Sequence, residues 1–199
     1  MKQFVAENPD IEVNGSTVLS VVDGMGAIKN IALRILWENG IEVPKANQWY
    51  SQQRWLDCFK ELSCNVGPNT LFGIGLAIPD NAIFPEDIDS IQKALESIDV
   101  AYHMNHRLHE KILYDSLSGE KLVGIGNYKY EETGQYSANI ICDNPYPCEF
   151  DKGIITTMAR RFRPKGAKLI IKHRDELGCR KHGHDSCTYT VTWEPDGKS

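Results

Sequence analysis

The chain has 199 residues, a formal net charge of −5 and a hydrophobic fraction of 41%, which is enough apolar material for one globular domain. The acidic balance excludes general nucleic-acid binding, which needs a basic surface. No segment is long and apolar enough to span a membrane, and the start lacks a signal-peptide layout. We expect a cytoplasmic protein, in which the six cysteines are thiols or metal ligands and not disulfides.

The first half of the chain predicts helices behind a polar lead-in, residues 1–14. A β-branched run at 17–22 predicts a short strand that ends in a turn. Apolar residues then recur at three- to four-residue spacing. They predict helices at 27–40, 48–63, 67–78 and 85–107. Pro85 is expected to open the last of these.

The second half changes to the alternating period of strands. Strands are predicted at 122–130 and 136–143, joined as a hairpin, and later at 168–173 and 188–193, with one helix at 149–162 between the two groups. This order predicts an α+β fold in which an antiparallel sheet packs against several helices. We expect a single domain over residues 15–199.

Four cysteines lie late in the chain: Cys142, Cys148, Cys179 and Cys187. Zinc takes about four ligands from thiolate, imidazole or carboxylate groups. Cys179 and Cys187 lie on either side of a short loop before the last strand, and Glu176, His182 and His184 compete for a further ligand position. The spacing differs from that of a zinc ribbon. Separate, buried, reduced cysteines are therefore the alternative interpretation.

The segments NPYPCEFDKGIITTMARRF and ELGCRKHGHDSCTYTVTW resemble the end of a 4-vinyl reductase domain. In that family a cysteine precedes a helix, and an E-x-x-C-[RK]-x-x-G-x-x-x-C segment leads into the last strand. The resemblance implies zinc ligands at Cys148, Glu176, Cys179 and Cys187, with Cys142 as the alternative to Cys148 because the stretch before Glu176 is longer here. Four protein ligands leave no open position, so the zinc would be structural.

The family resemblance also implies a fold group shared with haem-based nitric oxide sensors and Golgi tethering subunits. It implies a hydrophobic pocket between helices and sheet, a ligand that is apolar, phenolic or a tetrapyrrole, and commonly a homodimer. The sequence contains no helix-turn-helix or ATPase module, so we expect the output to pass through an unidentified downstream protein.

Large rings and polar groups in the middle of the chain are candidates for such a pocket. The predicted ligand-binding residues are Trp49, Trp55, Phe59, Phe72, Tyr102, His103 and His106. The alternative for each ring is core packing. His103 and His106 are three residues apart, so on a helix they would share a face. Either imidazole is a candidate axial ligand for haem, and we favour His106. The alternative is an exposed polar helix end.

Residues 50–54, YSQQR, match only part of the Tyr-x-Ser-x-Arg motif of the haem sensors. The chain has no nucleophile elbow, P-loop or dinucleotide-binding fingerprint, so an enzyme is not expected. The sequence therefore predicts a small-molecule sensor or carrier of the 4-vinyl reductase type with structural zinc. A haem-based gas or redox sensor and a structural assembly subunit are the alternatives.

Overall fold

The computed structural model describes residues 2–81, 84 and 86–195. These residues form an α+β fold with two four-stranded antiparallel sheets and six α-helices, as predicted. The helices are α1 Gly15–Gly24, α2 Lys29–Glu38, α3 Gln52–Val66, α4 Pro68–Ala77, α5 Ile91–Met104 and α6 Cys148–Phe162. The strands are β1 Ile11–Asn14, β2 Trp49–Ser51, β3 His106–Leu108, β4 Lys111–Ile112, β5 Tyr128–Gly134, β6 Ser137–Cys142, β7 Lys168–His173 and β8 Cys187–Glu194.

The prediction of a strand at 17–22 is wrong, because this run lies within α1. The Asn14 side chain caps the helix by accepting a hydrogen bond from the backbone N–H of Ser16 at 2.8 Å. Val18, Val21 and Val22 are then buried on one stripe of the helix. Capping and burial together outweigh the preference of valine for strands.

The first sheet has the strand order β2-β1-β3-β4. Its strand β1 lies within the predicted lead-in, and its Ile11 and Val13 are buried. Strand β3 pairs with β1, which places His106 opposite Val13. Helix α5 ends at Met104, so His106 begins a strand and does not share a helix face with His103.

Helix α5 begins later than predicted, at Ile91, where the Ser90 hydroxyl accepts a hydrogen bond from the N–H of Lys93 at 3.3 Å. The predicted opening residue, Pro85, lies outside the described residues. In the part of the chain that the structure describes, no helix is long and apolar enough to cross a membrane.

The second sheet has the order β5-β6-β8-β7, so the last strand in the chain lies between two others. Alternate residues of β6 are buried: Ala138, Ile140 and Cys142. The predicted hairpin exists, but β5 begins only at Tyr128. Gly124 and Gly126 have φ values of 119° and 76°, which interrupt extended backbone before that point.

Helices α4 and α6 pack backbone to backbone. A Cβ atom on Gly75 would lie 2.1 Å from the carbonyl oxygen of Phe150, and one on Gly153 would lie 2.4 Å from that of Phe72. Only glycine permits this approach. The contact fixes the position of α6 against α4.

Candidate functional site

A cavity of about 340 Å³ lies among α1, α3, α5, α6 and β5. Its apolar and aromatic walls include Ile98, Tyr102, Tyr128, Phe150, Ile154 and Met158. The lining also contains polar groups from Ser16, Ser20 and Asn105. Among the lining residues that the structure describes there is no arginine or lysine. The site is an apolar pocket with a few polar groups, which is the usual composition of a small-molecule site.

His106 is the imidazole of this cavity. Its Nδ1 lies 2.7 Å from the carbonyl oxygen of Tyr102, and its Nε2 lies 2.9 Å from the hydroxyl of Tyr146. A carbonyl only accepts, so Nδ1 carries the hydrogen and Nε2 accepts from Tyr146. Burial lowers the pKa of His106 to about 4. At pH 7 the ring is therefore neutral, with the lone pair of Nε2 held by one phenol.

Phe59 supports the Tyr146 side of the cavity from behind. It makes edge contacts with Trp55, Tyr146 and Phe150, with ring centroids 4.8, 5.5 and 4.9 Å apart. Trp55 also lines the cavity, whereas Phe59 does not. The aromatic cluster therefore fixes the positions of the cavity walls and leaves the hydroxyl of Tyr146 as the group that faces His106.

Three of the predicted ligand-binding residues meet at this cavity: Trp55, Tyr102 and His106. The other four lie outside its lining: Trp49, Phe59, Phe72 and His103. Trp49 stands on β2, where the Arg107 guanidinium lies 4.7 Å above its ring. Phe72 is half-buried on α4, the helix that packs against α6.

His103 is buried but faces away from the cavity. Its Nδ1 lies 2.8 Å from the carbonyl oxygen of Asp99, one helical turn earlier. The ring belongs to a surface depression that includes Lys121 and Gly124. His103 and His106 therefore lie in different environments, because the helix ends between them.

Residues 50–54 do not contribute a haem-sensor motif to the cavity. The Tyr50 hydroxyl accepts a hydrogen bond from the N–H of Lys45 at 2.8 Å. Ser51 caps α3, and Arg54 donates to the carbonyl of Gly40 at 3.3 Å. These contacts stabilise the backbone around the start of α3, and they account for the three residues without a role in the cavity.

A second group of side chains has the composition of a metal site. One ligand atom from each of Cys148, His173, Cys179 and Cys187 lies within 4.8 Å of the others. The three Sγ–Sγ distances are 3.4, 3.5 and 3.7 Å. The residues come from the start of α6, the end of β7, the loop that follows and the start of β8, so only the folded chain brings them together.

His173 takes the place expected for Glu176. Its Nδ1 lies 3.1 Å from a carboxylate oxygen of Asp175, and its Nε2 is buried. Glu176 instead pairs with Arg174, and 61% of its side chain is exposed. Glu176, the ligand that the family resemblance implies, lies outside this group, because its short 3₁₀ turn faces solvent while the preceding strand directs His173 inward.

The other candidates for this group also lie outside it. Cys142 is buried on β6 opposite Cys187, but it is not a member. His182 and His184 are exposed. Of Cys142 and Cys148, it is Cys148 whose sulfur lies beside those of Cys179 and Cys187.

Hydrogen bonds within this cysteine and histidine cluster shift the pKa values of the thiols in opposite directions. The thiol of Cys148 lowers the pKa of Cys187 by donating to its sulfur, and His173 and Arg180 act in the same direction against burial. The same hydrogen bond and burial raise the pKa of Cys148. Cys187 is thus the thiolate of the group. Three sulfurs and one imidazole form a donor set that suits zinc.

Arg180 connects the cluster to the cavity wall. Its Nε lies 3.4 Å from Sγ of Cys187, and its guanidinium pairs with Asp151. The hydroxyl of Tyr128, a cavity residue, donates to the same carboxylate at 2.6 Å. A continuous set of polar contacts therefore runs from the sulfurs to the cavity.

Sequence reasoning missed several of these residues, and the signals for them were weak. Tyr146 lies between two prolines in a short loop, where the sequence shows no hydrophobic periodicity. His173 ends a predicted strand and precedes Cys179 by six residues, so the preference of zinc for imidazole was the one available indication. Tyr128 carried no distinguishing signal.

No protein-family model and no curated protein matches the sequence. Solved structures do match the fold. An H-NOX protein from S. oneidensis, in the Fe(II) ligation state, is 12% identical, with 93% of this chain and 98% of that chain covered and a TM-score of 0.63.

Two further structures match over a similar extent. An oxygen-binding H-NOX domain related to soluble guanylate cyclases, in its oxygen complex, is 10% identical over 94% of this chain and 98% of that chain, with a TM-score of 0.62. A structure described under the modulation of haem redox potential through protein-induced porphyrin distortion is 12% identical over 94% and 98%, with a TM-score of 0.59. The chain has the fold of this group.

Proposed function

We propose that this chain is a haem-binding sensor domain in which His106 is the axial ligand. The observation that carries the proposal is the state of that imidazole: it is neutral, its Nδ1–H is held by the carbonyl of Tyr102, and its Nε2 faces an apolar cavity. Histidine ligands of metals usually donate their second N–H to a carbonyl or carboxylate in this way. The shared fold with H-NOX structures supports the proposal.

The cavity residues fit haem in donor chemistry. His106 would hold the iron, while Ile98, Phe150 and Met158 would supply apolar contacts to the porphyrin. When bound, haem would supply an iron with an open position for a diatomic gas. Tyr146 must first release Nε2, because its hydroxyl lies 2.9 Å from that atom.

Titration of the haem-free protein with haem, with its zinc content left unchanged, tests the proposal. A Soret band at one haem per chain is expected for the parent protein and for His103→Ala, whose ring lies outside the cavity. His106→Ala should lose the band or bind haem far more weakly. Equal binding by His106→Ala and His103→Ala would refute axial ligation by His106.

A small apolar ligand with one polar group is the second candidate, and the size of the cavity favours it. The volume of about 340 Å³ lies near the lower end of the ~300–1,000 Å³ usual for ligand pockets. A phenol-like molecule would place its hydroxyl on Nε2 of His106 and its ring against Trp55. This is the ligand class implied by the resemblance to 4-vinyl reductase domains. Phenol added to the haem-free protein should then quench the fluorescence of Trp55, and Trp55→Phe should abolish that change.

We further infer that Cys148, His173, Cys179 and Cys187 hold a structural zinc ion. Four protein ligands leave no position for water or substrate. Asp175 would fix the ring of His173 as carboxylates do behind other zinc-bound histidines. The homodimer and the downstream protein expected from the sequence belong to the same proposal, since a sensor acts through a partner.

A further inference from the structure

The sulfur of Cys148 accepts a hydrogen bond from the opposite end of the chain. The side-chain Nε2 of Gln3 donates to it at 3.0 Å, across 145 positions of sequence. Gln3 is half-buried, and it is not one of the four side chains of the cysteine and histidine cluster. The amide therefore belongs to the surroundings of the cluster, where it meets a ligand atom from outside.

The charge of the cluster explains why such a donor matters. Cysteine binds zinc as the thiolate, so three thiolates and a neutral imidazole around one Zn²⁺ leave one negative charge in excess. Arg180 supplies a positive charge on one side, since its Nε lies 3.4 Å from Sγ of Cys187. Among the described contacts of the Cys148 sulfur, the N–H donor is the amide of Gln3. Hydrogen bonds to a charged acceptor are about twice as strong as those between neutral groups.

Backbone contacts hold Gln3 in this place. The next residue, Phe4, donates its N–H to the carbonyl of Pro145 at 2.8 Å, in the loop before α6. The side chain of Gln53 on α3 holds the same segment: its Nε2 donates to the carbonyl of Phe4 at 3.1 Å, and its Oε1 accepts from the N–H of Ala6 at 2.9 Å. The segment is therefore fixed on both sides of Phe4, and the amide of Gln3 is held beside the cluster.

The backbone of Phe4 is strained. Its φ is 61°, a left-handed conformation that a bulky residue adopts only when its surroundings enforce it. The ring packs against the hydrophobic core, and the hydrogen bonds to Pro145 and Gln53 hold the main chain. Several independent contacts thus specify the path of the N-terminal segment over the cluster.

We propose that Gln3 is a positioning residue of the metal site: its amide fixes the Cys148 side chain and stabilises the thiolate that binds zinc. Groups that hydrogen-bond metal ligands from outside orient them and tune the affinity for the metal. The site in the last third of the chain is thus completed by a residue from the N-terminal segment. This inference rests on the proposed function, in which the cluster holds structural zinc.

Zinc affinity, measured on the full chain by competition with a chromogenic chelator, tests the proposal. Gln3→Leu removes the donor at similar volume and should weaken binding about tenfold. Gln3→Glu keeps the shape but adds a negative charge that cannot donate, so it should weaken binding more. Gln135→Leu is the matched control, because this glutamine is exposed in the turn between β5 and β6, and it should bind like the parent. Parent-like affinity of Gln3→Glu would show that residue 3 only covers the cluster, and would overturn the proposal.

The role of the N-terminal segment is tested through its anchor on α3. Gln53→Leu removes both hydrogen bonds to the segment and lies outside the cluster. It should weaken zinc binding, and it should cause no further loss in a Gln3→Leu background. Equal losses in the two backgrounds would contradict the placement of Gln3 by this segment.

A spectroscopic measurement reports the hydrogen bond directly. With Co²⁺ in place of zinc, loss of the donor raises the energy of the sulfur lone pair, so the sulfur-to-metal charge-transfer band of Gln3→Leu should move to longer wavelength. A parent chain without zinc would refute the structural zinc site and with it this role of Gln3. A parent that holds one zinc ion per chain, while Gln3→Leu keeps its affinity and its Co²⁺ spectrum, would refute the role of Gln3 alone.

Discussion

Arg180 and Asp151 form an ion pair in which neither side chain is exposed. Arg180 also donates to the side-chain oxygen of Asn144 at 2.6 Å, and Asp151 accepts from Tyr128. Burial raises the pKa of Asp151 to about 6 although the guanidinium opposes it. The carboxyl group is therefore ionised at pH 7, and each charge depends on the other for compensation.

Arg180→Met should lower the free energy of unfolding by about 3–5 kcal/mol, because it leaves the Asp151 carboxylate buried without its counter-charge. Chemical denaturation with the zinc content measured in parallel checks this. Lys29→Met is the matched control: its ion pair with Asp23 is about half exposed and should be worth less than about 1 kcal/mol. Similar losses in the two variants would contradict the importance of the buried pair.

Zinc analysis distinguishes the two candidate ligand sets. The parent protein and Glu176→Gln should each bind about one zinc ion per chain, whereas His173→Gln and Cys187→Ser should not retain it. Cys187→Ser should also be strongly destabilised, since the binding free energy of structural zinc is on the order of 10 kcal/mol and contributes to folding. Loss of zinc in Glu176→Gln with retention in His173→Gln would restore the ligand set implied by the family resemblance.

The buried neutral state of His106 predicts a pH dependence of stability. Burial lowers its pKa from 6.5 to about 4. Between these values the unfolded chain binds a proton that the folded chain does not, so stability falls as pH falls from about 6.5 to 4. The loss attributable to His106 should reach about 3 kcal/mol.

His106→Gln isolates this contribution, because glutamine does not titrate and the titration of Asp151 is common to both proteins. The difference in unfolding free energy between parent and variant should change across the window from pH 6.5 to 4 and be constant at higher pH. A pH-independent difference would show that the imidazole titrates normally in the folded protein.

The close contact between α4 and α6 predicts that a glycine-to-alanine substitution has opposite effects on stability at two positions of α4. Gly75→Ala would place its Cβ within 2.1 Å of the Phe150 carbonyl oxygen and should destabilise the protein or separate the helices. Gly73→Ala meets nothing within 4 Å and should stabilise α4 by up to about 1 kcal/mol. Thermal melting of the two variants checks this, and equal melting temperatures would contradict the close approach.

Local patterns predicted much of the second half of the fold, for physical reasons. Residues of β6 and residues 189–194 of β8 alternate between buried and less buried positions, and α6 carries acids in its first turn and arginines in its last. These features lie within single elements. The three-residue strands β2 and β3 have no such period, because partners far along the chain define them.

The sites were predicted only in part because their geometry depends on where elements end. His106 enters the cavity because α5 stops at Met104, and His173 joins the cysteines because β7 ends beside β8. A shift of one residue at either end would exchange the inward and outward side chains. Trp55 and Tyr102 were predictable as large rings on buried helix faces.

Strand β8 is the last of the described elements in the chain, yet it lies inside the second sheet between β6 and β7. During synthesis β6 and β7 therefore emerge with unpaired edges, and neither can complete the sheet until β8 has left the ribosome. Cys187, at the start of β8, arrives with it. We expect the sheet and the cysteine and histidine cluster to form in one late step, in which nascent chains halted before residue 187 expose apolar strand edges and are prone to aggregate.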